Sequence, residues 1–425
     1  MEKVKYLIVG AGVSGLAFAN WLKSKDYLIL ESDSEIGGYC KTITQEGFTW
    51  DYSGHFFHFK NREIEEYLVS RMHGQEIRNV IKSSKIYWGG EWIDFPFQKN
   101  IHQLPKEDFI ECVYDLVFRP TQEPLNFKEM LVSKFGRGIA EKFLIPYNEK
   151  LYATDLKELD LDAMGRFFPF ADFEQIIQNF RNPNNSSYND KFTYPAGGAI
   201  QYVNALASEV ESGKISLSEK LQSVDVLNKI ASTDARKIAY DHIISSVPLP
   251  GLLDICSVTY DHDDFSWNKV LVFNLGFDRK GPSGIHWIYF PQSQLSFYRV
   301  GFYDNIIPSN RMSLYVEIGL DRLTNLSETD VEALRARVLR DLKKSGIVSD
   351  HKLVCWHSTI MDPAYVHITK KSIKKVSLVK RMLVNHGVHT IGRYGGWTYC
   401  SIEDNILEAR DLAASFNDIE FNHER

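Results

Sequence analysis

The sequence predicts an α/β fold in which a parallel sheet is assembled from separated stretches of chain, interrupted by a helical insertion and joined to an antiparallel sheet. Three observations predict it. Residues 1–31 read as strand, glycine-rich turn, helix and strand. Residues 105–180 carry helical periodicity, and residues 267–320 alternate as strands do.

The opening unit is the most specific. Val4 to Val9 is a short apolar run, Gly10-Ala11-Gly12-Val13-Ser14-Gly15 follows at once, residues 16–23 have helical spacing, and residues 27–31 form a second strand ending on Glu31. Gly10 makes the tight turn, Gly12 lets the backbone approach a pyrophosphate, and Gly15 lets the helix pack on the strand. Ser14 lies in the first helical turn, facing the phosphates, and Glu31 can accept from a ribose hydroxyl. This is a Rossmann-like dinucleotide site. A second pair, Gly37-Gly38, just past the ribose acid is typical of FAD enzymes, so FAD leads NAD.

Further along, Lys85 to Trp88 and Glu91 to Asp94 flank Gly89-Gly90 as a hairpin. Helical spacing covers 106–118, 127–135 and 139–144, and the Asn, Ser and Pro of 181–190 predict an exposed loop. A helix is expected over 200–209. Strands over 221–228, 237–240 and 242–246 return to the first sheet. Strands over 267–277, 284–290, 295–302 and 312–320 build the second, followed by a helix over 329–344. A buried strand over 388–392 and a helix over 401–416 close the chain. The expected division is 1–60, 190–260 and 385–425 for a discontinuous FAD-binding domain, 100–185 for a helical domain, and 61–99 with 261–384 for an antiparallel sheet substrate domain.

Composition narrows the class. A chain of 425 residues needs more than one core. A net charge of −6 offers no basic field for nucleic acid. Five cysteines without CxxC pairs predict neither a metal site nor a disulfide framework. No apolar run is long enough to span a bilayer, and the chain opens directly on a core strand, so a cytoplasmic enzyme is expected.

Several segments, in order, resemble the UDP-galactopyranose mutases, the eukaryotic-type branch most closely, within the FAD-dependent amine oxidase and protoporphyrinogen oxidase-like superfamily. They are Tyr52-Ser53-Gly54-His55, the segment Phe95-Pro96-Phe97-Gln98-Lys99-Asn100, Pro146-Tyr147-Asn148 with Tyr152, Tyr289-Phe290-Pro291 with Phe297-Tyr298-Arg299, and Gly392-Arg393-Tyr394-Gly395-Gly396. The resemblance implies interconversion of UDP-galactopyranose and UDP-galactofuranose, or of a related NDP-hexose, through an adduct of the sugar with N5 of reduced FAD, in a polysaccharide or glycoconjugate pathway. NADPH or NADH is the reductant it suggests.

The resemblance also assigns roles. Arg166 and Arg299 become the diphosphate arginines, since a planar guanidinium fork matches phosphate oxygens. The alternatives are a helix-surface arginine for Arg166 and a sheet-face ion pair for Arg299. His55, after Gly54, is placed with them as a flavin-loop residue without a general-base role; a core histidine is its alternative. Phe95 would stack on uracil and Gln98 would bond its edge, while Asn148 and Tyr152 would meet the ribose. Asn189, Trp287, Tyr289, Tyr365 and Tyr399 would surround the galactose and diphosphate. Arg393 would lie by the FAD pyrophosphate, and Glu403, Asp404 and Asn405 would bring a helix N-terminus to the flavin, beside N-capping by Ser401. Phe95, Tyr152 and Thr398 stand where the family often has Tyr, Trp and Arg. The competing expectation is an FAD-dependent oxidoreductase of the amine oxidase or protoporphyrinogen oxidase type. A homo-oligomer is compatible with the helical insertion pairing across a two-fold axis.

Overall fold

β1 (Glu2–Val9), α1 (Val13–Trp21) and β2 (Tyr27–Leu30) form the βαβ unit that the first residues predict. The structure, a computed structural model, describes residues 1–185 and 190–423. β1 lies between β2 and the Lys237–Ser245 strand, parallel to both, with Val4 opposite Tyr240 and Ile8 opposite Ile244. The first sheet runs Leu221–Asp225, Ile230–Thr233, Lys237–Ser245, β1, β2, Ile215–Ser216. Val388–Thr390 joins it in parallel along the C-terminal half of Lys237–Ser245. Tyr6 to Val9 and all of β2 are buried, as parallel strands covered on both faces must be.

Each face has its own core. On one, α1 meets the Ile402–His423 helix through Leu16, Phe18, Ala409, Ala413 and Phe416. On the other, Leu249, Leu252, Val379, Leu383 and Trp397 pack under the sheet. The two strands expected over 237–240 and 242–246 are one, because Asp241 reaches Lys3 at 3.7 Å on the surface while the ladder continues through its backbone.

The second sheet also has seven strands, in the order Leu353–Val366, Trp267–Phe277, Ser313–Asp321, Arg299–Phe302, Trp287–Tyr289, Ser84–Trp88, Glu91–Asp94. Every pairing is antiparallel except Trp287–Tyr289 against Ser84–Trp88. Leu353–Val366 in this sheet, and the Lys370–Asn385 helix packed on the first sheet's core, both escape the sequence reading. Leu353–Val366 mixes His, Ser, Thr, Asp and Pro into a strand with shifted register against its neighbour, so its alternation is broken. The Lys370–Asn385 helix has so many cations that its apolar stripe is diluted.

The insertion is helical as expected: Lys106–Val117, then Phe127–Ile139, broken at Gly136 where the backbone is non-helical (φ +75°), and from there through one wide turn over Ala140–Leu144 into Ile145–Tyr152. The segment expected as a separate helix over 139–144 does lie beyond this break, and its last five residues form the wide turn. Phe143, Leu144 and Leu151 pack against the second sheet's core, which brings Tyr147 and Asn148 to the space between insertion and sheet. Among the described residues no helix is long and apolar enough to cross a membrane.

Candidate active site

At the C-terminal end of β1 the chain turns through Gly10 at φ +103°. A Cβ on Gly15 would lie 2.0 Å from the Gly10 carbonyl oxygen, so only glycine lets α1 start this close to the turn. Glu31 accepts the Ala11 N–H at 2.8 Å and the Asp33 N–H at 2.9 Å, tying β2 to the turn. The Gly37 N–H donates to the Ala11 carbonyl at 3.0 Å, which lays Gly38 beside Gly12. Gly10, Gly12, Ser14, Glu31, Gly37, Gly38 and Asn405 line a cavity of about 700 Å³. Gly15 stands behind its wall as a packing residue.

A second cavity, of about 290 Å³, opens between the insertion and the second sheet. Phe95, Tyr147, Asn148, Tyr289, Arg299, Tyr365 and Tyr399 line it, with Gly54 and Glu403. His55 and Arg393 line both cavities and mark their junction.

The junction carries unusual charge. The Arg393 guanidinium is buried, 4.6 Å from the Tyr399 ring centre and 5.2 Å from that of Tyr365. Its Nη1 donates to the Cys400 carbonyl at 3.3 Å, while Nε and Nη2 have no partner. A buried cation with unspent donors suits an anionic ligand group. His55 also keeps a buried, unpartnered Nδ1. Burial pushes it down to about 4, Arg393 and Arg299 push the same way, and Glu317 opposes them, so the ring is neutral at neutral pH.

These features fit FAD. The glycine turn and Glu31 would hold the dinucleotide, and His55 and Arg393 would stand where the larger cavity gives onto the smaller. The N-terminus of the Ile402–His423 helix lies there too, with Ile402 on both cavity walls. Ser401 and Asp404 cap it reciprocally: the Asp404 N–H donates to Ser401 Oγ at 3.1 Å and the Ser401 N–H to Asp404 Oδ2 at 2.8 Å. Glu403 accepts the N–H groups of Lys60 and Asn61 at 2.9 and 2.7 Å, so its carboxylate holds a loop beside the smaller cavity.

Arg299 forms the sheet-face ion pair that the sequence allowed and also faces a cavity. It lines the smaller cavity, and its Nε and Nη2 each donate at 2.7 Å to Glu317, directly opposite on the neighbouring strand. Glu317 is fully buried, and burial alone would raise its pKa. Arg299, with a further hydrogen bond from Ser53, outweighs that and holds the carboxyl below its ordinary range. Sequence reasoning missed Glu317, although an acid amid the apolar run Leu314 to Ile318 was a signal.

Other expected contacts stand behind the cavity wall. Arg166 sits half-exposed at the rim and pairs with Asp404. Gln98 is buried, its Nε2 donating to the Pro169 carbonyl. Trp287 donates to the Tyr289 hydroxyl at 2.7 Å and stacks on Phe56 at 5.5 Å. Tyr152 is fully buried beside Tyr365. Gln98, Tyr152 and Trp287 are not among the residues lining the smaller cavity; Trp287 packs beside Tyr289, and Tyr152 beside Tyr365. Asn189 lies outside the described residues.

Comparison with known proteins agrees with this architecture. A solved structure of reduced UDP-galactopyranose mutase matches with a TM-score of 0.89 at 23% identity, covering 99% of this chain and 95% of that chain. Cyclohexylamine oxidase from Brevibacterium oxydans matches with a TM-score of 0.72 at 15% identity, covering 99% and 100%. Both likenesses are of fold. Coproporphyrinogen III oxidase of Staphylococcus aureus is 21% identical over 285 residues, 57% of this chain and 60% of that protein. The chain spans less than two thirds of the length of the curated relatives it matches. Residues 13–365 match the family described as flavin containing amine oxidoreductase, and with that match over most of its length the chain belongs to this flavoprotein family.

Proposed function

We propose that the chain is a flavin-dependent nucleotide-sugar mutase that interconverts UDP-galactopyranose and UDP-galactofuranose, or the two ring forms of a related NDP-hexose. The observation that carries this reading is the meeting of the cofactor cleft with a cavity that is both cationic and rich in tyrosine hydroxyls. The backbone likeness to UDP-galactopyranose mutase supports it.

The chain's residues suit the departure of a diphosphate. Arg299 is locked by two bonds to Glu317, so its position is fixed before any ligand arrives. A preorganised donor stabilises developing negative charge without reorganising. Arg393 adds charge that no carboxylate offsets in an ion pair among the described residues. Tyr289, Tyr365 and Tyr399 offer hydroxyls to sugar and phosphate oxygens, Phe95 offers a ring to the base, and Asn148 keeps Oδ1 unpartnered. Arg166 reaches a diphosphate by leaving Asp404, an exchange that gives up an exposed ion pair worth at most about 1 kcal/mol. Bound in its reduced form, FAD would supply an electron-rich centre beside the sugar.

A second reading, an oxidoreductase of the amine oxidase or protoporphyrinogen oxidase type, draws on one observation. Arg166 and Arg299 are each matched by a carboxylate, which leaves an aromatic cavity of lower net charge.

The test is anaerobic. UDP-galactopyranose is added to enzyme reduced by dithionite, NADPH or NADH, and the products are separated by chromatography. Furanose that forms only with reduced flavin is the expected result, and Arg299→Lys should lower turnover by about 10²-fold or more. If no furanose forms and UDP leaves the flavin spectrum unmoved, while an amine or porphyrinogen drives oxygen uptake, the oxidoreductase reading replaces it.

A further inference from the structure

The Lys370–Asn385 helix is the most one-sidedly charged segment of the fold. It carries Lys370, Lys371, Lys374, Lys375, Lys380 and Arg381 and no acid, in a chain of net charge −6. Within the fold this arrangement is unfavourable. Lys370 and Lys371 occupy the first turn, where the helix dipole favours carboxylates. Lys370 with Lys374, and Lys371 with Lys375, repel at i,i+4 spacing. Among the described residues one ion pair relieves these cations, Lys375 with Asp264 at 3.2 Å.

The helix is nevertheless well anchored. Thr369 and Ser372 cap it reciprocally, and Ser372, Val379 and Leu383 are buried against the first sheet's core. Its outward face alternates Lys371, Lys374 and Arg381 with apolar side chains. Ile373, Leu378 and Met382 are 46%, 57% and 36% exposed.

We propose that this face docks the protein on an anionic membrane surface, with the helix lying along the bilayer. A polyanion in solution would use the cations and leave the apolar side chains in water. An apolar protein surface would bury Ile373 and Leu378 and strand the lysines. A bilayer with anionic head groups uses both, taking the cations at the head groups and the apolar side chains at the acyl boundary. With no spanning helix among the described residues, such attachment is peripheral and salt-sensitive.

The experiment uses the full chain loaded with FAD. It is sedimented with vesicles of phosphatidylcholine alone and with vesicles that also contain phosphatidylserine, at low and high salt. Binding is expected only to phosphatidylserine vesicles and should fall as salt rises. The combined Lys371→Glu, Lys374→Glu and Arg381→Glu variant should bind about a hundredfold more weakly. Leu378→Ser with Met382→Ser, which keeps every charge, should bind about tenfold more weakly. Flavin content and the thermal midpoint establish that both variants are folded. Equal binding to neutral vesicles, undiminished binding by the charge-reversed variant, or no binding to any vesicle would overturn the proposal. Capture by polyglutamate without vesicle binding would overturn it in favour of an acidic protein partner.

Discussion

Gly12 and Gly15 sit three positions apart in one motif and answer to different constraints. A Cβ on Gly15 would press to 2.0 Å from a backbone oxygen, whereas one on Gly12 would meet Gly38 Cα at 3.9 Å, an ordinary contact. Gly12 also has an extended backbone open to any residue. Gly15→Ala should therefore cost about 2 kcal/mol or more of stability with or without cofactor. Gly12→Ala should leave the apoprotein's thermal midpoint nearly unchanged and lose FAD, because only the approach of the pyrophosphate is blocked. Flavin absorbance beside apoprotein melting curves separates the two. At this scale the sequence was legible where one residue type has one use, as in the glycine turn and Glu31. It was ambiguous where a residue has two. Arg299 could be a ligand arginine or a sheet ion pair, and only the strand register, which sets Glu317 opposite it, shows that it combines an ion pair with a place on the cavity wall.

One of the side chains that join helix and sheet beside the smaller cavity is a lysine. Lys150, on the Ile145–Tyr152 helix, donates from Nζ to the carbonyls of Phe290 and Gln292 at 2.9 Å each and to that of Phe297. Those carbonyls belong to the loop between Tyr289 and Arg299, so the lysine fixes two cavity walls. Burial pushes it down to about 7. Lys150→Met should lower stability by about 2–3 kcal/mol, the cost of three carbonyls losing a donor, and should raise the KM for a nucleotide sugar. Thermal unfolding and initial-rate kinetics check the two effects. Elements with clean periodicity, such as Trp267–Phe277 and the Ser84–Asp94 hairpin region, were readable in advance. Leu353–Val366 was not, since half its face packs under aromatic neighbours that come from distant segments. The long separation between Lys150 and its carbonyls made that tie equally invisible.

For the whole molecule, buried titrating groups set the response to acid. His55, His58, His367 and His389 are each pushed down to about 4, all by burial first. The unfolded chain takes up these protons near pH 6.5 and the native one does not. Their contribution is therefore present above pH 6.5 and is lost as pH falls toward 4. Asp51 and Asp304, raised by burial to about 6, work the other way: the native state keeps protons there that the unfolded chain releases, so their contribution is lost as pH rises through 6. Four groups outweigh two. The thermal midpoint should fall between pH 6.5 and 4, measured by calorimetry across that range. None of this was legible in the sequence, because a histidine's pKa depends on its surroundings after folding.

The nucleotide-binding sheet closes only when Val388–Thr390 lies against Lys237–Ser245 and the Ile402–His423 helix lies on α1. During synthesis the glycine turn leaves the ribosome long before its counterpart. The growing chain must hold a half-made cleft, with Ile8 and Phe18 less covered on one side, until the Ile402–His423 helix has emerged. Truncation within the Ile402–His423 helix, by a premature stop codon or a nick, would then uncover α1 rather than only shorten a helix.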